Sequence, residues 1–424
     1  MTYLQAIDYL YNSLPMFQKV GAAAYNKDLS RTIAFCTALG NPHKKFKSVH
    51  IAGTNGKGTS AHTLSAVLQS AGYKTGLYTS PHLKSFTERI RIDGIEIDKK
   101  FVVDFVIENR ELLEKIKPSF FETTVAMAFD HFAKHKVDIA IIEVGMGGRL
   151  DSTNIITPEV CLITQIGLDH QQFLGESLAE IALEKAGIIK SGVPVVIGDD
   201  HGILESAFIE KASNMNAPIT FATAIKIEFQ NNRKVKLLSG SLINTELQLS
   251  ILSTYYLKNI PGIIGVIEEL IKAGWQINDA AVQQGFASVQ QLTGLKGRWQ
   301  ILSDSPLTIC DVCHNTDGIR AIVDQIIKTA HNRLHFVYGT VNDKKIDDIL
   351  TLLPKSAHYY FTQAKIPRAL DASELAEKAS NFGLKGESYP DVNQAIASAK
   401  SNANNNDMIF IGGSTFIVAE ITEL

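Results

Sequence analysis

The feature that most constrains this chain is a glycine-rich loop between a predicted strand and a predicted helix. An apolar run at residues 48–52 leads into the loop, which reads G-T-N-G-K-G-T at residues 53–59. Residues 61–71 follow, with apolar side chains at helical spacing. A strand, a glycine loop and a helix in this order are the context in which a glycine motif predicts a phosphate site.

Each part of this loop has a chemical reason. Glycines allow backbone N–H groups to close around phosphate oxygens. The start of a helix adds unpaired N–H groups and about half a positive charge. Lys57 adds a full charge, and the Thr59 hydroxyl is placed to bind Mg²⁺. The predicted phosphate site consists of Gly53, Thr54, Asn55, Gly56, Lys57, Gly58, Thr59 and Ser60.

The loop is shorter than the usual phosphate-loop pattern. Only two residues separate Gly53 from Gly56, and Gly58 lies between Lys57 and Thr59. The alternative is a flexible turn with a surface lysine, which the flanking strand and helix disfavour.

Length and charge limit the remaining possibilities. A chain of 424 residues is too long for one ordinary core, and we expect domains at residues 1–294 and 295–424. A net charge of −3 gives no reason to expect nucleic-acid or membrane partners. Residues 1–14 carry Asp8 within their apolar stretch, which favours an amphipathic helix over a signal peptide. We therefore expect a cytoplasmic protein without a membrane span.

The pattern predicts an α/β fold with two domains. In the first, apolar strand candidates alternate with helices, which is typical of a large, doubly wound parallel sheet. Residues 225–252 change to short alternating segments, which predict a small antiparallel patch. Beyond a glycine-containing linker at residues 293–297, a smaller Rossmann-like α/β domain is expected. Helices are predicted at residues 99–116, 122–134, 178–189, 259–273 and 279–292, and later strands at 307–311, 333–338, 358–362 and 408–411.

Several polar residues directly follow apolar strand candidates. Glu143 ends one strand, Asp169-His170 follows another, and Ser80 follows a third. An acid at the end of a buried strand beside a phosphate loop is suited to Mg²⁺ binding. Lys185 lies on an otherwise apolar helix, where partial burial would lower its pKa and allow its amine to add CO₂. The alternative roles are a helix-capping or turn acid for Glu143, a structural histidine for His170, and a lysine that extends to solvent for Lys185.

A separate motif, Cys310-Asp311-Val312-Cys313-His314, matches the C-x-x-C-H pattern of covalent haem attachment, and C-x-x-C alone suggests a redox pair. The absence of an export signal argues against haem, and the motif lies between an apolar run and a predicted helix.

In its ordered motifs, the chain resembles the folylpolyglutamate synthase/dihydrofolate synthase family of the Mur-ligase superfamily along nearly its whole length. The loop is followed in family order by further matching segments: T-S-P-H-L at 79–83, F-T-E-R-I-R-I at 86–92, F-E at 121–122, E-V-G-M-G-G-R-L-D-S-T-N at 143–154, D-H-x-x-x-L-G at 169–175, E-K-A-G-I-I-K at 184–190, G-R-W at 297–299 and D-x-x-H-N at 311–315.

The resemblance assigns roles to individual residues. It implies ATP as a substrate, two Mg²⁺ ions and K⁺ as a possible further ion. The implied metal ligands are Thr59, Ser80, Glu143, His170 and a carbamylated Lys185. The implied nucleotide contacts outside the loop are Asn259, Arg298 and Asp311, and the implied catalytic residues are Lys57, Lys185, His170, Asp311 and His314. The implied pterin-binding residues are Phe121, Glu122, Leu150, Asp151 and Ser152.

The chain departs from the family pattern at a few positions. Val312-Cys313 replaces the usual Gly-Ala, but Asp311 and His314 remain, so Cys310 and Cys313 are interpreted as packing residues. Ser152 replaces a common alanine. Pro261-Gly262 stands where the helix after Asn259 would begin, which weakens the match around the adenine contact.

The function implied by this resemblance is ATP-dependent ligation of L-glutamate to dihydropteroate or folates through an acyl phosphate. We favour a bifunctional enzyme that acts as a monomer on small molecules. The alternatives are a folylpolyglutamate synthase alone, a peptidoglycan-precursor ligase, and a nucleotide-gated binding protein.

Overall fold

The computed structural model describes residues 1–14, 28–199, 202–231, 233–342 and 346–424. The chain folds into two compact units. The first comprises Met1–Ser250 and Lys258–Gly294, and the second comprises Ile251–Leu257 and Leu295–Leu424.

The first unit is built on an eight-stranded sheet, and its apolar strand candidates form the middle of that sheet. The strands are β1 (Lys47–Ala52), β2 (Thr75–Tyr78), β3 (Ile90–Ile92), β4 (Ile95–Glu96), β5 (Ile139–Glu143), β6 (Val160–Ile163), β7 (Val195–Ile197) and β8 (Ile219–Phe221). Their order is β4-β3-β2-β5-β1-β6-β7-β8. The six strands from β2 to β8 in this order pair in parallel, and β3 and β4 form an antiparallel edge. The predicted parallel sheet is confirmed.

The helices between Met1 and Gly294 include the predicted N-terminal helix. Within the described residues they are α1 (Tyr3–Asn12), α2 (Ser30–Ala38), α3 (Lys57–Ser70), α4 (Lys99–Glu108), α5 (Arg110–Ile116), α6 (Phe120–Lys134), α7 (Gln171–Leu174), α8 (Leu178–Ala186), α9 (Glu205–Asn214), α10 (Thr254–Lys272), α11 (Asp279–Ala287) and α12 (Val289–Thr293). Short 3₁₀ helices lie at Pro42–Lys44, Phe86–Arg89, Ser152–Ile155, Gly202–Leu204 and Ala222–Ala224.

Two predicted helices are each broken into two. The helix predicted at 99–116 is interrupted at Asn109, whose side-chain amide donates to the Phe105 carbonyl at 2.8 Å. Such side-chain bonds to the backbone compete with helix propagation. The helix predicted at 279–292 is interrupted at Ser288, whose φ of −129° is not helical. The apolar spacing continues across both breaks, so periodicity alone did not reveal them.

Other helix limits also differ from prediction. Helix α3 begins at Lys57, within the glycine loop, and so starts before residue 61, where the predicted helical spacing begins. Its first turn is polar, and apolar periodicity therefore did not reveal this start. Helix α8 ends at Ala186 rather than at residue 189. Helix α10 begins at Thr254, before the predicted residue 259, and contains Pro261. Proline has no N–H to donate within the helix, which made an earlier start look unfavourable.

The antiparallel patch predicted at residues 225–252 is confirmed. It is a three-stranded sheet of β9 (Ile227–Asn231), β10 (Lys234–Leu237) and β11 (Glu246–Gln248), in the order β11-β10-β9.

The second unit has a six-stranded sheet in which the predicted strands form the middle. Its strands are β12 (Gln300–Asp304), β13 (Leu307–Asp311), β14 (Leu334–Tyr338), β15 (His358–Thr362), β16 (Lys385–Tyr389) and β17 (Met408–Gly412), in the order β12-β13-β17-β14-β15-β16. Strands β13 to β16 in this order are parallel, and β12 pairs antiparallel with β13. The helices are α13 (Thr316–Lys328), α14 (Ile346–Leu350), α15 (Ala372–Ser380), α16 (Val392–Asn402) and α17 (Thr415–Ala419).

Among the helices that the structure describes, none combines the length and the apolar character needed to cross a bilayer.

Candidate active site

The glycine loop lies between β1 and α3, as predicted. Gly56 precedes the first residue of α3 with a φ of +90°, and no side chain in the described ranges caps this helix end. The first N–H groups of a helix have no partners within the helix, so this end suits an anion. Thr59 and Ser60 lie buried in the first turn.

Thr164, directly after β6, holds this loop in place. Its hydroxyl lies 2.8 Å from the Asn55 carbonyl and 3.2 Å from the Ala52 carbonyl. A Cβ on Gly53 would lie 1.8 Å from Thr164 Oγ1, so only glycine fits there. The backbone N–H of Thr54 also donates to the Gln165 carbonyl at 2.7 Å. Sequence reasoning missed Thr164, whose only signal was a hydroxyl just beyond an apolar strand.

Two predicted catalytic lysines meet at one carbonyl of the loop. Lys57 Nζ donates to the Gly53 carbonyl at 2.9 Å and to the Thr54 carbonyl at 3.2 Å. Lys185 Nζ donates to the same Gly53 carbonyl at 2.9 Å. Lys185 is only 3% exposed, and this burial, with the nearby Lys57 charge, lowers its pKa to about 7. Two lysine side chains therefore meet at this loop, and the Lys185 ammonium loses its proton more readily than an ordinary lysine does.

Glu143 is the last residue of β5 and is paired in register with Ile51 of β1. It is 5% exposed, and its Oε2 accepts the Ser80 N–H at 3.0 Å. A buried carboxylate next to a hydroxyl residue provides the hard oxygen ligands that Mg²⁺ prefers. The structure thus brings Glu143 and Ser80 together at the carboxyl ends of neighbouring strands.

His170 follows β6 and immediately precedes α7, with a φ of +50°. Its side chain is 42% exposed, and its Nε2 lies 3.9 Å from Asp169 Oδ2. The Asp169 charge partly offsets the lowering of the Lys185 pKa. Within the described ranges, no group of three or more His, Cys, Asp or Glu side chains is placed to hold a metal ion. The predicted set includes only two residues of these types, Glu143 and His170, so metal binding by the full set stays a prediction.

The segment predicted to bind pterin is organised around Asp151. The Asp151 carboxylate accepts the N–H groups of Met146 at 2.9 Å and Thr153 at 3.0 Å. The Phe121 ring covers the same loop, since a Cβ on Gly145 would lie 2.3 Å from Phe121 Cζ. Leu150 is partly buried in this loop, and the buried Ser152 begins the 3₁₀ turn that follows it.

Glu122 has a structural contact that the prediction did not include. Its Oε2 accepts the Ser119 N–H at 2.6 Å, and the Ser119 hydroxyl accepts the Glu122 N–H at 3.2 Å. This reciprocal pair is a capping box at the start of α6. Its other oxygen, Oε1, accepts the Thr32 hydroxyl at 3.4 Å.

Arg89 directly precedes β3 and was not assigned a role from the sequence. It is 3% exposed, its Nε donates to His82 Nδ1 at 2.7 Å, and its guanidinium lies 5.3 Å from the Phe120 ring centroid. Burial lowers the pKa of Arg89, and the Tyr78 hydroxyl and the Glu143 charge partly offset this. The only sequence signal was the F-T-E-R segment.

Asn259 of α10 lies against the glycine loop. A Cβ on Gly56 would lie 2.4 Å from Asn259 Oδ1. Although α10 begins earlier than predicted, Asn259, the predicted nucleotide contact, still lies next to the loop.

We expect Gly56→Ala to displace Asn259 and weaken nucleotide binding. The matched control is Gly72→Ala, because Gly72 has a φ of +89° and nothing within 4 Å of a built Cβ. Both variants should lose about 1–2 kcal/mol of stability through the left-handed backbone. Only Gly56→Ala should weaken ADP binding, by about tenfold or more, since small displacements in a binding loop are costly. Thermal unfolding and calorimetric titration with ADP measure the two effects, and equal ADP affinities would contradict the Asn259 contact.

In the second unit, Asp311 ends β13 and is fully buried. Its Oδ2 accepts the Trp299 N–H at 2.6 Å and the Tyr255 hydroxyl at 2.8 Å, and its Oδ1 accepts the Cys313 N–H at 2.9 Å. Tyr255 was not identified from the sequence.

The other predicted residues of this unit contact nearby backbone. Arg298 Nη1 donates to the Gly297 carbonyl at 3.1 Å, and His314 Nδ1 lies 3.1 Å from the Val312 carbonyl. Cys310 is buried within β13, and burial raises the pKa of the Cys313 thiol well above its usual range. Neither cysteine forms a disulfide. A buried strand position for Cys310 agrees with a packing residue.

Two protein families match this chain. The Mur ligase middle domain matches residues 51–267, and the Mur ligase glutamate ligase domain matches residues 297–415. The dihydrofolate synthase/folylpolyglutamate synthase of Bacillus subtilis is 31% identical over 408 residues, which is 93% of this chain and 94% of that protein. The Escherichia coli protein of the same name is 32% identical over 379 residues, which is 88% of this chain and 85% of that protein.

Solved structures agree with these relatives. E. coli FolC in complex with DHPP and ADP has a TM-score of 0.87 at 29% identity, covering 100% of this chain and 97% of that one. The bifunctional folylpolyglutamate synthase/dihydrofolate synthase of Yersinia pestis, complexed with AMPPNP and a Mn ion, has a TM-score of 0.84 at 30% identity, covering 99% and 97%. The chain therefore belongs to the folylpolyglutamate synthase/dihydrofolate synthase family of Mur ligases, which are ATP-dependent ligases that join an acid to an amino acid.

Proposed function

We propose that this protein joins L-glutamate to dihydropteroate and to folates, using ATP and an acyl-phosphate intermediate. The observation that carries this proposal is the convergence of Lys57 and Lys185 on the Gly53 carbonyl, at the uncapped start of α3. The Lys57 ammonium and the helix N-terminus at this loop suit a triphosphate, and Lys185 lies beside them at the same carbonyl.

In the proposed reaction, a carboxylate oxygen of the pteroate or folate attacks the γ-phosphorus of ATP, and ADP leaves. The amine of glutamate then attacks the acyl phosphate, an amide forms, and phosphate leaves with the former carboxylate oxygen. The first step brings two anions together. The Lys57 ammonium and the loop N–H groups offset that repulsion.

A divalent metal fits the oxygen-rich edge of the sheet, where the Glu143 carboxylate is buried beside Ser80. Thr59, Ser80, Glu143, His170 and the carbamate of Lys185 would hold it. When bound, Mg²⁺ would neutralise phosphate charge. The Mn ion and AMPPNP named for the Y. pestis structure support binding of ATP with a divalent cation. A second ion and K⁺ remain predictions.

Carbamylation of Lys185 belongs to the same proposal. The neutral amine would add CO₂ to give a carbamate anion and release one proton. Burial of Lys185, which lowers its pKa to about 7, makes the neutral amine available near neutral pH.

The remaining assignments are also proposed from the family resemblance. Asn259, Arg298 and Asp311 would contact the nucleotide, and His314 would act in catalysis. Phe121, Glu122, Leu150, Asp151 and Ser152 would form the pterin site, although the capping contacts of Glu122 favour a supporting role for it. A monomeric state and a cytoplasmic location complete the proposal.

A bifunctional enzyme is favoured because the B. subtilis and E. coli relatives carry both activities in their names. The test is an ADP-release assay with dihydropteroate, tetrahydrofolate or a muramyl peptide, each with and without L-glutamate. We expect steady ADP release with the first two acids, and only when glutamate is present. Oxygen-18 in the substrate carboxylate should appear in the released phosphate.

Each other outcome supports a different function. Activity with tetrahydrofolate alone would indicate a folylpolyglutamate synthase, and activity with the muramyl peptide alone would indicate a peptidoglycan-precursor ligase. ADP release that depends on neither acid nor glutamate would indicate a nucleotide-gated binding protein.

A further inference from the structure

A buried chain of hydrogen bonds runs from the central strand of the first sheet to Asp151. His50, on β1, is 0% exposed, and its Nε2 lies 2.9 Å from Thr153 Oγ1. Thr153 is also 0% exposed, and its hydroxyl donates to Asp151 Oδ1 at 2.5 Å. The three side chains thus form a line that ends at the carboxylate.

The directions of these hydrogen bonds follow from the groups around Asp151. Its Oδ1 accepts the Thr153 N–H, and its Oδ2 accepts the Met146 N–H. Burial raises the pKa of Asp151, while these bonds and one from the Gly145 N–H favour its ionised form. The Thr153 hydroxyl has a single proton, which it donates to Asp151 Oδ1, so its oxygen can only accept from His50.

It follows that His50 must donate to Thr153 from Nε2. The other ring nitrogen, Nδ1, is buried and has no hydrogen-bond partner among the residues that the structure describes. Burial also lowers the pKa of His50 to about 3, so its ring stays neutral with one proton. The proton therefore sits on Nε2, and the imidazole has one defined orientation.

The His50 end of this hydrogen-bond chain is held rigidly by the sheet. His50 lies between two paired neighbours in the sheet, opposite Ile142 of β5 and Cys161 of β6. A group placed on a central strand and supported by buried hydrogen bonds is held more precisely than one on a loop alone.

We propose that Thr153 and His50 are positioning residues, which fix the Asp151 carboxylate for contact with the pterin-bearing substrate. This inference rests on the proposed function, because that function places Asp151 in the substrate site. Thr153 sets the carboxylate directly, and His50 acts through Thr153.

The test compares Thr153→Val, which removes the hydroxyl, with Thr153→Ser, which keeps it. Thr153→Val should raise the KM for dihydropteroate about tenfold, as loss of a hydrogen bond to a charged group would. The KM for ATP should stay within about twofold of wild type, since it reflects other groups. Thr153→Ser should recover most of the affinity for dihydropteroate.

The same logic applies to His50. His50→Gln places an amide N–H near the position of Nε2–H, whereas His50→Leu offers no donor. His50→Leu should resemble Thr153→Val, and His50→Gln should be milder. The double variant His50→Leu with Thr153→Val should be no worse than Thr153→Val alone, because both changes break one chain.

A matched control exists in the same unit. His62 Nδ1 lies 2.8 Å from the buried hydroxyl of Thr293, which donates to the Val289 carbonyl rather than to a carboxylate. Thr293→Val should lower the thermal stability without changing the KM for dihydropteroate. An equal rise of this KM in Thr293→Val and Thr153→Val would overturn the positioning role, as would a wild-type KM in Thr153→Val.

The variant Asp151→Asn distinguishes failure of the proposed Asp151 contact from failure of the positioning role. If it raises the KM for dihydropteroate while Thr153→Val does not, the positioning role alone is wrong. If it leaves that KM unchanged, both the proposed Asp151 contact and the positioning role are wrong.

Discussion

Lys57→Ala should abolish ligation and ATP turnover while the protein stays folded. In the proposed reaction, the ammonium of Lys57 would offset the repulsion between the phosphates and the attacking carboxylate. We expect the rate of ADP formation to fall by about 10³-fold or more, the scale seen when one transition-state donor is removed.

The fold should survive because the loop retains most of its contacts. The Gly53 carbonyl keeps its hydrogen bond from Lys185, and Thr164 still holds the Asn55 carbonyl. The Thr54 carbonyl loses its hydrogen bond from Lys57, and the Gly53 carbonyl loses one of its two lysine donors. Circular dichroism and thermal unfolding should thus resemble those of wild type.

The matched control for this variant is Lys74→Ala. Lys74 also donates to a backbone carbonyl, that of His135 at 2.7 Å, but it precedes β2, away from the carboxyl ends of the strands. Lys74→Ala should keep near-normal activity. Near-normal ADP formation by Lys57→Ala would show that the loop does not carry the reaction.

The second large effect is expected for Lys185→Arg. Arginine keeps the positive charge but cannot add CO₂ near neutral pH, because its guanidinium stays protonated. If the carbamate is needed, activity should fall by about 10³-fold, comparable to the loss of another essential charge at an active site. If only the positive charge mattered, arginine would retain much of the activity.

Two measurements follow the carbamate itself. Wild-type protein in ¹³C-bicarbonate should give a carbamate carbon resonance that is absent from Lys185→Arg. Removal of CO₂ from the buffer should lower wild-type activity, and bicarbonate should restore it.

Lys190→Arg serves as the control for Lys185→Arg. Burial also lowers the pKa of Lys190, and its Nζ donates to the Asn154 carbonyl at 2.8 Å. Lys190→Arg should retain the carbamate resonance and most of the activity. A carbamate signal that disappears in Lys190→Arg but persists in Lys185→Arg would reassign the modified lysine.

Much of the fold followed from local pattern. Strands β1 and β5 are almost entirely buried, so their apolar runs were visible in the sequence. Strand β16 was missed because four of its five residues are exposed and its composition, K-G-E-S-Y, is polar. An edge strand needs no apolar face, so periodicity cannot reveal it.

In the candidate site, too, residues in local motifs were predictable and residues that act through distant contacts were not. The glycine loop is a local motif, and its position between a predicted strand and a predicted helix indicated a phosphate site. Lys185 is 132 residues from Gly53 in sequence, and only the family resemblance pointed to its role. The supports of the site, Thr164 and His50, were missed because each acts through a hydrogen bond to a distant segment, 109 residues away for Thr164 and Asn55. Tertiary pairing of this kind leaves no periodic trace in a sequence.

The short segment Ile251–Leu257 limits how the protein can be divided. It belongs to the second unit, although in sequence it comes before the last part of the first unit, Lys258–Gly294. Leu252 and Tyr255 pack against the core of the second unit, and the Gln325 side chain bonds both the Leu252 carbonyl at 2.8 Å and the Thr254 N–H at 2.7 Å. A truncation that begins at Leu295 would remove this heptapeptide, uncover apolar surface and leave a buried amide short of two partners. A fragment of residues 295–424 is therefore not autonomous, and its isolated expression would call for the heptapeptide to be supplied in trans or fused ahead of Leu295.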